Sequence, residues 1–134
     1  LEEYIADQKD NADFTLPLQS PAPKILLHGH CHQKAMGVMS SIEETLSLLP
    51  DTDIELVETS CCGMAGSFGY EAEHYEISMR MAERRLLPAV READPATIVV
   101  AAGISCRQQI KHGSRRQALH PAQVLRDAIV VEQP

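Results

Sequence analysis

Lys24-Ile25-Leu26-Leu27-His28 is a short, nearly continuous apolar run, the pattern of a strand buried on both faces of a sheet. Two similar runs follow, Ile54-Glu55-Leu56-Val57-Glu58-Thr59 and Thr97-Ile98-Val99-Val100-Ala101-Ala102, the second rich in β-branched residues. Between the first two, Met39, Ile42, Leu46 and Leu49 recur at spacings of three and four, the stripe of an amphipathic helix. Ser40 and Ser41 each precede a glutamate by three residues, a capping-box pattern compatible with a helix start or a longer helix. Between the second and third runs, Tyr75, Met79, Ala82, Leu86 and Val90 share one helical face. Pro88 lies inside that stripe and predicts a kink or a restart. His120-Pro121 opens a closing helix over 123–130. Strands alternating with helices of this length imply right-handed crossovers and a parallel sheet. The expected fold is α/β, a small three-layer Rossmann-like domain. No glycine-rich dinucleotide fingerprint follows the first strand, so neither NAD nor FAD is expected to bind within this module.

Upstream, Leu1 to Ile5 reads as the tail of an arriving helix. Residues 8–23 are polar and proline-rich, ending in Pro21-Ala22-Pro23, which is linker chemistry. The expected division is therefore a helix tail and linker over 1–23 and a cysteine-rich α/β domain over 24–134. The chain begins at Leu1 without methionine, which suggests an excerpt from a longer protein, or processing. Its 134 residues suit one domain. A formal charge of −7 argues against nucleic acid, whose binding depends on phosphate neutralisation by Lys and Arg. The basic cluster Lys111 to Arg116 reads as a solvated loop. No apolar stretch approaches the roughly 20 residues of a bilayer span, and no signal peptide opens the chain. A cytoplasmic setting is expected, at most peripheral to a membrane through a parent protein.

The cysteines carry the chemistry. Cys31 lies just beyond the first strand, Cys61 and Cys62 beyond the second, and Cys106 beyond the third. In a parallel sheet these points share one edge, the carboxyl ends of the strands, where open α/β folds place their sites. A lone cysteine is more often a small buried hydrophobe than a ligand. Four at successive strand ends, with a vicinal pair in a glycine-rich turn, favour metal or redox use. In Cys61-Cys62-Gly63-Met64-Ala65-Gly66-Ser67, Gly63 and Gly66 can adopt positive φ and let backbone N–H groups approach an anion. Gly103 offers the third turn similar freedom. In His28-Gly29-His30-Cys31-His32, continued strand alternation would set the three histidines on one face and Cys31 on the other. His28, His30 and His32 are candidates for zinc ligation, for hydrogen bonding around a cluster, or for acid–base work near neutral pH. His74, His112 and His120 read as surface, loop or capping residues.

His30-Cys31-His32, the Cys61-Cys62-Gly63 triplet and Gly103-Ile104-Ser105-Cys106 together resemble the cysteine-rich "CCG" domain family. That family includes the iron–sulfur subunits of glycolate oxidase and anaerobic glycerol-3-phosphate dehydrogenase, and one of the subunits of heterodisulfide reductase. The stretch Cys62 to Tyr70, with Leu86-Leu87-Pro88-Ala89-Val90, looks most like the C-terminal end of FAD-linked oxidases. In those long proteins a flavin domain, a ferredoxin-like segment and cysteine-rich domains are joined, and D-2-hydroxy acids are oxidised. The resemblance covers roughly residues 24 to 130. It implies that Cys31, Cys61, Cys62 and Cys106 ligate an iron–sulfur centre. The family's full pattern closes with two cysteines spaced by two residues, and the first of that pair falls on Gly103. Heterodisulfide reductase holds an unusual non-cubane double cluster with five thiolates. Four leave open a cubane 4Fe–4S cluster, the leading expectation, a cluster with one non-cysteine ligand, or a simpler metal.

Three functions follow as expectations. The first is an electron-transfer module, with FAD and the hydroxy-acid pocket on fused or partner domains and no dehydrogenase activity in the isolated chain. The second is a zinc-binding structural module using the same cysteines. The third is a thiol redox domain in which Cys61 or Cys62 is a nucleophile activated by a helix N-terminus.

Overall fold

The computed structural model describes residues 1–59 and 61–131. Ser60 and residues 132–134, the last of the domain expected from Lys24 onward, lie outside them. Strands β1 (Lys24–His28), β2 (Asp53–Leu56), β3 (Ile98–Ala101) and β4 (Ala118–Leu119) form one sheet in the order β2-β1-β3-β4. Every neighbouring pair is parallel. Helices α2 (Cys31–Met36) and α3 (Met39–Leu46) connect β1 to β2. Two 3₁₀ turns, Phe68–Tyr70 and Ala72–His74, precede α4 (Tyr75–Glu83) and α5 (Leu86–Glu92) on the way to β3. Helix α6 (Ile104–Ser114) leads to β4, and α7 (Pro121–Ala128) follows it; α1 (Glu2–Gln8) precedes the sheet.

Strand alternation divides the core into two layers of apolar contact. Leu26, Val99 and Ala101 pack with Leu86 and Val90 of α5 and Ile110 of α6. Ile25, Leu27 and Val100 pack on the other face with Ile42 and Leu46 of α3 and Val124 of α7. The small three-layer α/β fold is thus the one the apolar runs imply. Each fully buried Leu, Ile or Val stabilises it by roughly 1.5–3 kcal/mol relative to exposure. β2 lies at the sheet edge, so Asp53 and Glu55 alternate outward, and Lys24 pairs with Glu55 across the β1–β2 ladder.

The expected interruption of the second long helix falls at Arg84-Arg85, between α4 and α5. Pro88 then sits in the first turn of α5, where its missing N–H costs no helical bond. The closing helix runs over 121–128 rather than 123–130. His120 caps it, its Nδ1 accepting from the Ala122 N–H at 3.1 Å while Gln123 accepts from the His120 N–H at 2.8 Å. Upstream of the sheet, α1 packs on α3 and Leu18 bridges Ile129 in antiparallel fashion.

The basic stretch is not a loop throughout. Lys111 and His112 fall in the last turn of α6, which ends on Arg115 at φ 63°. Arg116 turns inward, and its guanidinium donates to the carbonyls of Val90, Ala93, Asp94 and Thr97 at 2.6–3.2 Å. Those carbonyls close α5 and lead into β3, where no helical partner remains for them. Arg116→Ala should therefore cost about 2 kcal/mol in urea unfolding, with Arg116→Lys recovering only part, because a point charge cannot fork to four acceptors.

Candidate metal centre

Strand β1 sits between β2 and β3, so the chain leaves its carboxyl edge near the point where the strand order reverses, the usual position of sites in open α/β sheets. Cys31 is the first residue of α2, and Cys106 the third of α6. Cys61 and Cys62 lie in the turn beyond β2. All four are free cysteines, and among the described residues Cys62 and Cys106 join His28 in a group of donors from which Cys31 and Cys61 are absent. Cys62 and Cys106 lie close enough to perturb each other's ionisation, and Cys61 acts on Cys31 in the same way.

The three histidines separate because β1 ends at His28. The chain then turns through Gly29 into α2, so strand alternation does not continue to His32. His30 becomes the N-cap of α2, its Nδ1 accepting from the His32 N–H at 3.3 Å. His32 is exposed. His28 is 1% exposed and stays with the sulfurs: one of its ring nitrogens and the sulfurs of Cys62 and Cys106 supply three donor atoms within 4.8 Å of one another. Its Nδ1 lies 2.9 Å from Thr59 Oγ1, whereas its buried Nε2 has no hydrogen-bond partner. His28 lies close enough to Cys62 to lower its thiol pKa.

A cavity of about 390 Å³ opens over the edge, lined by His30, Cys31, His32, Cys62, Gly66 and Cys106. Cys61 instead borders a neighbouring cleft of about 370 Å³ with Thr59, Arg84 and Arg85. The Cys106 thiol holds Cys62 well below the usual thiol range, to about 4, with His28 and the Met64 backbone N–H acting in the same direction. Cys106, sharing its proton with Cys62 and buried beside it, is pushed up. Burial raises Cys31, then its bond to Cys61 and the neighbouring sulfurs do so, while the Lys34 ammonium opposes them. Cys62 is thus available as a thiolate at neutral pH, and ionisation of Cys31 and Cys106 needs a cation among the sulfurs.

The turn holding Cys61 and Cys62 is built by backbone contacts. Gly63 has φ 91°, and a Cβ there would lie 2.1 Å from the Ser78 carbonyl oxygen. Gly66, at φ 70°, has nothing within 4 Å of such an atom, so its role is conformational alone. The Gly63 N–H donates to Cys61 Sγ at 3.3 Å. Buried Gln109 of α6 donates to the Cys62 carbonyl at 3.1 Å and to Ser78 Oγ at 2.9 Å, tying the turn to α4 and α6. Gly103 corrects the sequence expectation: its φ of −71° suits any residue, so conformational freedom is not its role. Space is. A Cβ on Gly103 would lie 2.2 Å from the His30 ring and 3.0 Å from Cys106 Sγ.

Packing alone accounts for part of this arrangement, since Cys62 and Cys106 belong to the apolar cluster over one sheet face. It does not account for a buried imidazole set against them, nor for the closeness of Cys31 and Cys61. Thr59, Gln109 and Lys34, whose ammonium donates to the Thr59 carbonyl, were not evident in the sequence. Each acts through long-range contacts, and only a helix assigned across 104–114 would have put Gln109 on the face of Cys106.

A family described as a cysteine-rich domain, CCG, matches residues 25–111. The chain is 29% identical over 117 residues to one of the subunits of anaerobic glycerol-3-phosphate dehydrogenase from Escherichia coli K12, covering 86% of this chain and 28% of that protein. It is 32% identical over 115 residues to D-2-hydroxyglutarate dehydrogenase of Pseudomonas putida, covering 82% of this chain and 11% of that protein. To the E. coli K12 D-2-hydroxyglutarate dehydrogenase it is 37% identical over 76 residues, 57% of this chain and 7% of the relative. The chain thus spans about a quarter or less of the relatives it matches. No solved structure matches it.

Proposed function

Because the chain belongs to the cysteine-rich CCG domain family, we propose that it is the iron–sulfur-binding, electron-transfer domain of a flavin-linked oxidoreductase acting on a D-2-hydroxy acid of the lactate, glycolate or 2-hydroxyglutarate type. The convergence of Cys31, Cys61, Cys62 and Cys106 on one sheet edge carries this reading. Sulfurs close enough to perturb one another's ionisation suit a cluster held by thiolates, with a 4Fe–4S cluster the expected type for four such ligands. When bound, such a cluster takes up and releases single electrons. The chain's own residues would hold and tune it. The Gly63 turn is fixed by Gln109, and Lys34 places a cation beside Cys31.

The flavin, the substrate pocket and a ferredoxin-like segment are assigned to other domains of the same polypeptide or complex. The small share of each dehydrogenase relative that this chain spans supports that assignment. Thiolate ligands favour a reducing compartment, hence the cytoplasm, with any membrane contact made through the parent protein. Among the described residues no helix is long and apolar enough to cross a membrane.

Zinc bound at these cysteines is a second reading, favoured by the gathering of three buried donors, His28, Cys62 and Cys106. A thiol redox role fits less well. Cys62 ionises readily, but at 2% exposure it offers a substrate disulfide almost no line of approach. A redox titration of anaerobically purified chain separates these readings. The proposal expects a broad visible absorption that bleaches and recovers reversibly. A colourless protein containing one zinc would replace it with the zinc module.

A further inference from the structure

We infer that His28 is a direct ligand of this metal centre through Nε2, so that the centre is held by a mixed set of imidazole and thiolates. The inference rests on the reading that the strand edge binds a metal centre, and it adds a ligand that the four-cysteine set does not include.

His28 ends β1 with its ring 1% exposed. A buried polar nitrogen without a partner is costly, so it is kept where something outside the apolar packing meets it. Thr59 stands 2.9 Å from Nδ1. When the Nδ1–H donates to the Thr59 hydroxyl, Nε2 presents a bare lone pair, and metal-binding imidazoles are held in this way by a second contact on the far nitrogen. A ring nitrogen of His28 and the sulfurs of Cys62 and Cys106 lie within 4.8 Å of one another, and Nδ1 is the nitrogen engaged by Thr59. Around a tetrahedral ion with bonds near 2.1 Å to nitrogen and 2.3 Å to sulfur, such donors sit about 3.6 Å apart. Closing the set therefore needs movements of about 1 Å. The neighbouring histidines are differently placed. His30 uses Nδ1 to cap α2 and packs its ring over Gly103, and His32 is exposed. Unlike a further thiolate, a neutral imidazole adds no negative charge to the ligand set.

Two measurements test the ligand assignment separately from the cluster. In chain purified anaerobically with ¹⁵N-histidine, pulsed EPR of the reduced centre should show a strongly coupled imidazole nitrogen that persists in His30→Gln and disappears in His28→Gln. In metal-free chain, Co²⁺ should give sulfur-to-cobalt charge-transfer and tetrahedral visible bands. Its affinity should fall more than tenfold in His28→Gln and about tenfold in Thr59→Val, which removes the orienting contact. Unchanged far-ultraviolet circular dichroism marks the variants as folded. If His28→Gln does not fold, the coupling in unaltered protein and the Thr59→Val affinity decide the matter. Iron and sulfide without a coupled nitrogen would overturn the ligand role while leaving the cluster intact. Absence of iron and sulfide would remove the cluster reading alone, and the Co²⁺ affinities would still support His28 or, if equal, overturn it.

Discussion

Cys62→Ser should reduce the iron bound per chain to near zero while leaving the fold in place. Cys62 is 2% exposed, lies beside Cys106 and His28, and has a thiol held well below the usual range. A serine oxygen fits the space but remains protonated at neutral pH, so the site loses its preformed anion and its soft donor together. The surrounding apolar contacts from Val57, Met64 and Ile110 remain. Unfolding should therefore show a loss of only about 1 kcal/mol in metal-free chain. Exposed His32 changed to Ala provides the comparison, with iron content expected to stay unchanged. Full iron retention in Cys62→Ser would mean that the centre is held elsewhere.

The second large effect concerns the backbone beneath that cysteine. Gly63→Ala should destabilise the chain by about 3 kcal/mol or more, read in urea unfolding, and impair metal binding with it. The new Cβ would meet a carbonyl oxygen of α4 at 2.1 Å and its carbon at 2.9 Å, neither of which can swing aside like a side-chain end. The φ of 91° adds a conformational penalty that alanine cannot relieve. Relief requires the turn to lift from Ser78 and Gln109, which moves Cys62 with it. Gly66→Ala meets no atom within 4 Å and should cost only about 1 kcal/mol, from its left-handed backbone. Equal effects at the two glycines would show that close packing beneath the cysteine pair is not what the glycine provides.

The parts of this architecture that are legible in the sequence are those repeated along it. The apolar runs at Lys24, Ile54 and Thr97 announce parallel strands, and each is followed by a cysteine, so the convergence at one edge follows from topology. Less legible were elements whose residues carry no period. β4 is two residues long, and α6 contains Arg107-Gln108-Gln109 with glycine at both ends, so it reads as polar connection. Where β1 stops could not be read from residues that suit strand and helix cap alike. That single boundary decides which histidine meets the sulfurs, burying His28 and sending His32 outward. Gly103 shows the same limit, since only packing reveals that its missing side chain makes room for the His30 ring.

The central claim, that four cysteines from three strand ends hold one iron–sulfur centre, is tested most directly by iron and acid-labile sulfide per chain after anaerobic expression and purification. About four irons with matching sulfide are predicted, as for a cubane cluster. Zinc without sulfide, or no metal at all, would contradict it.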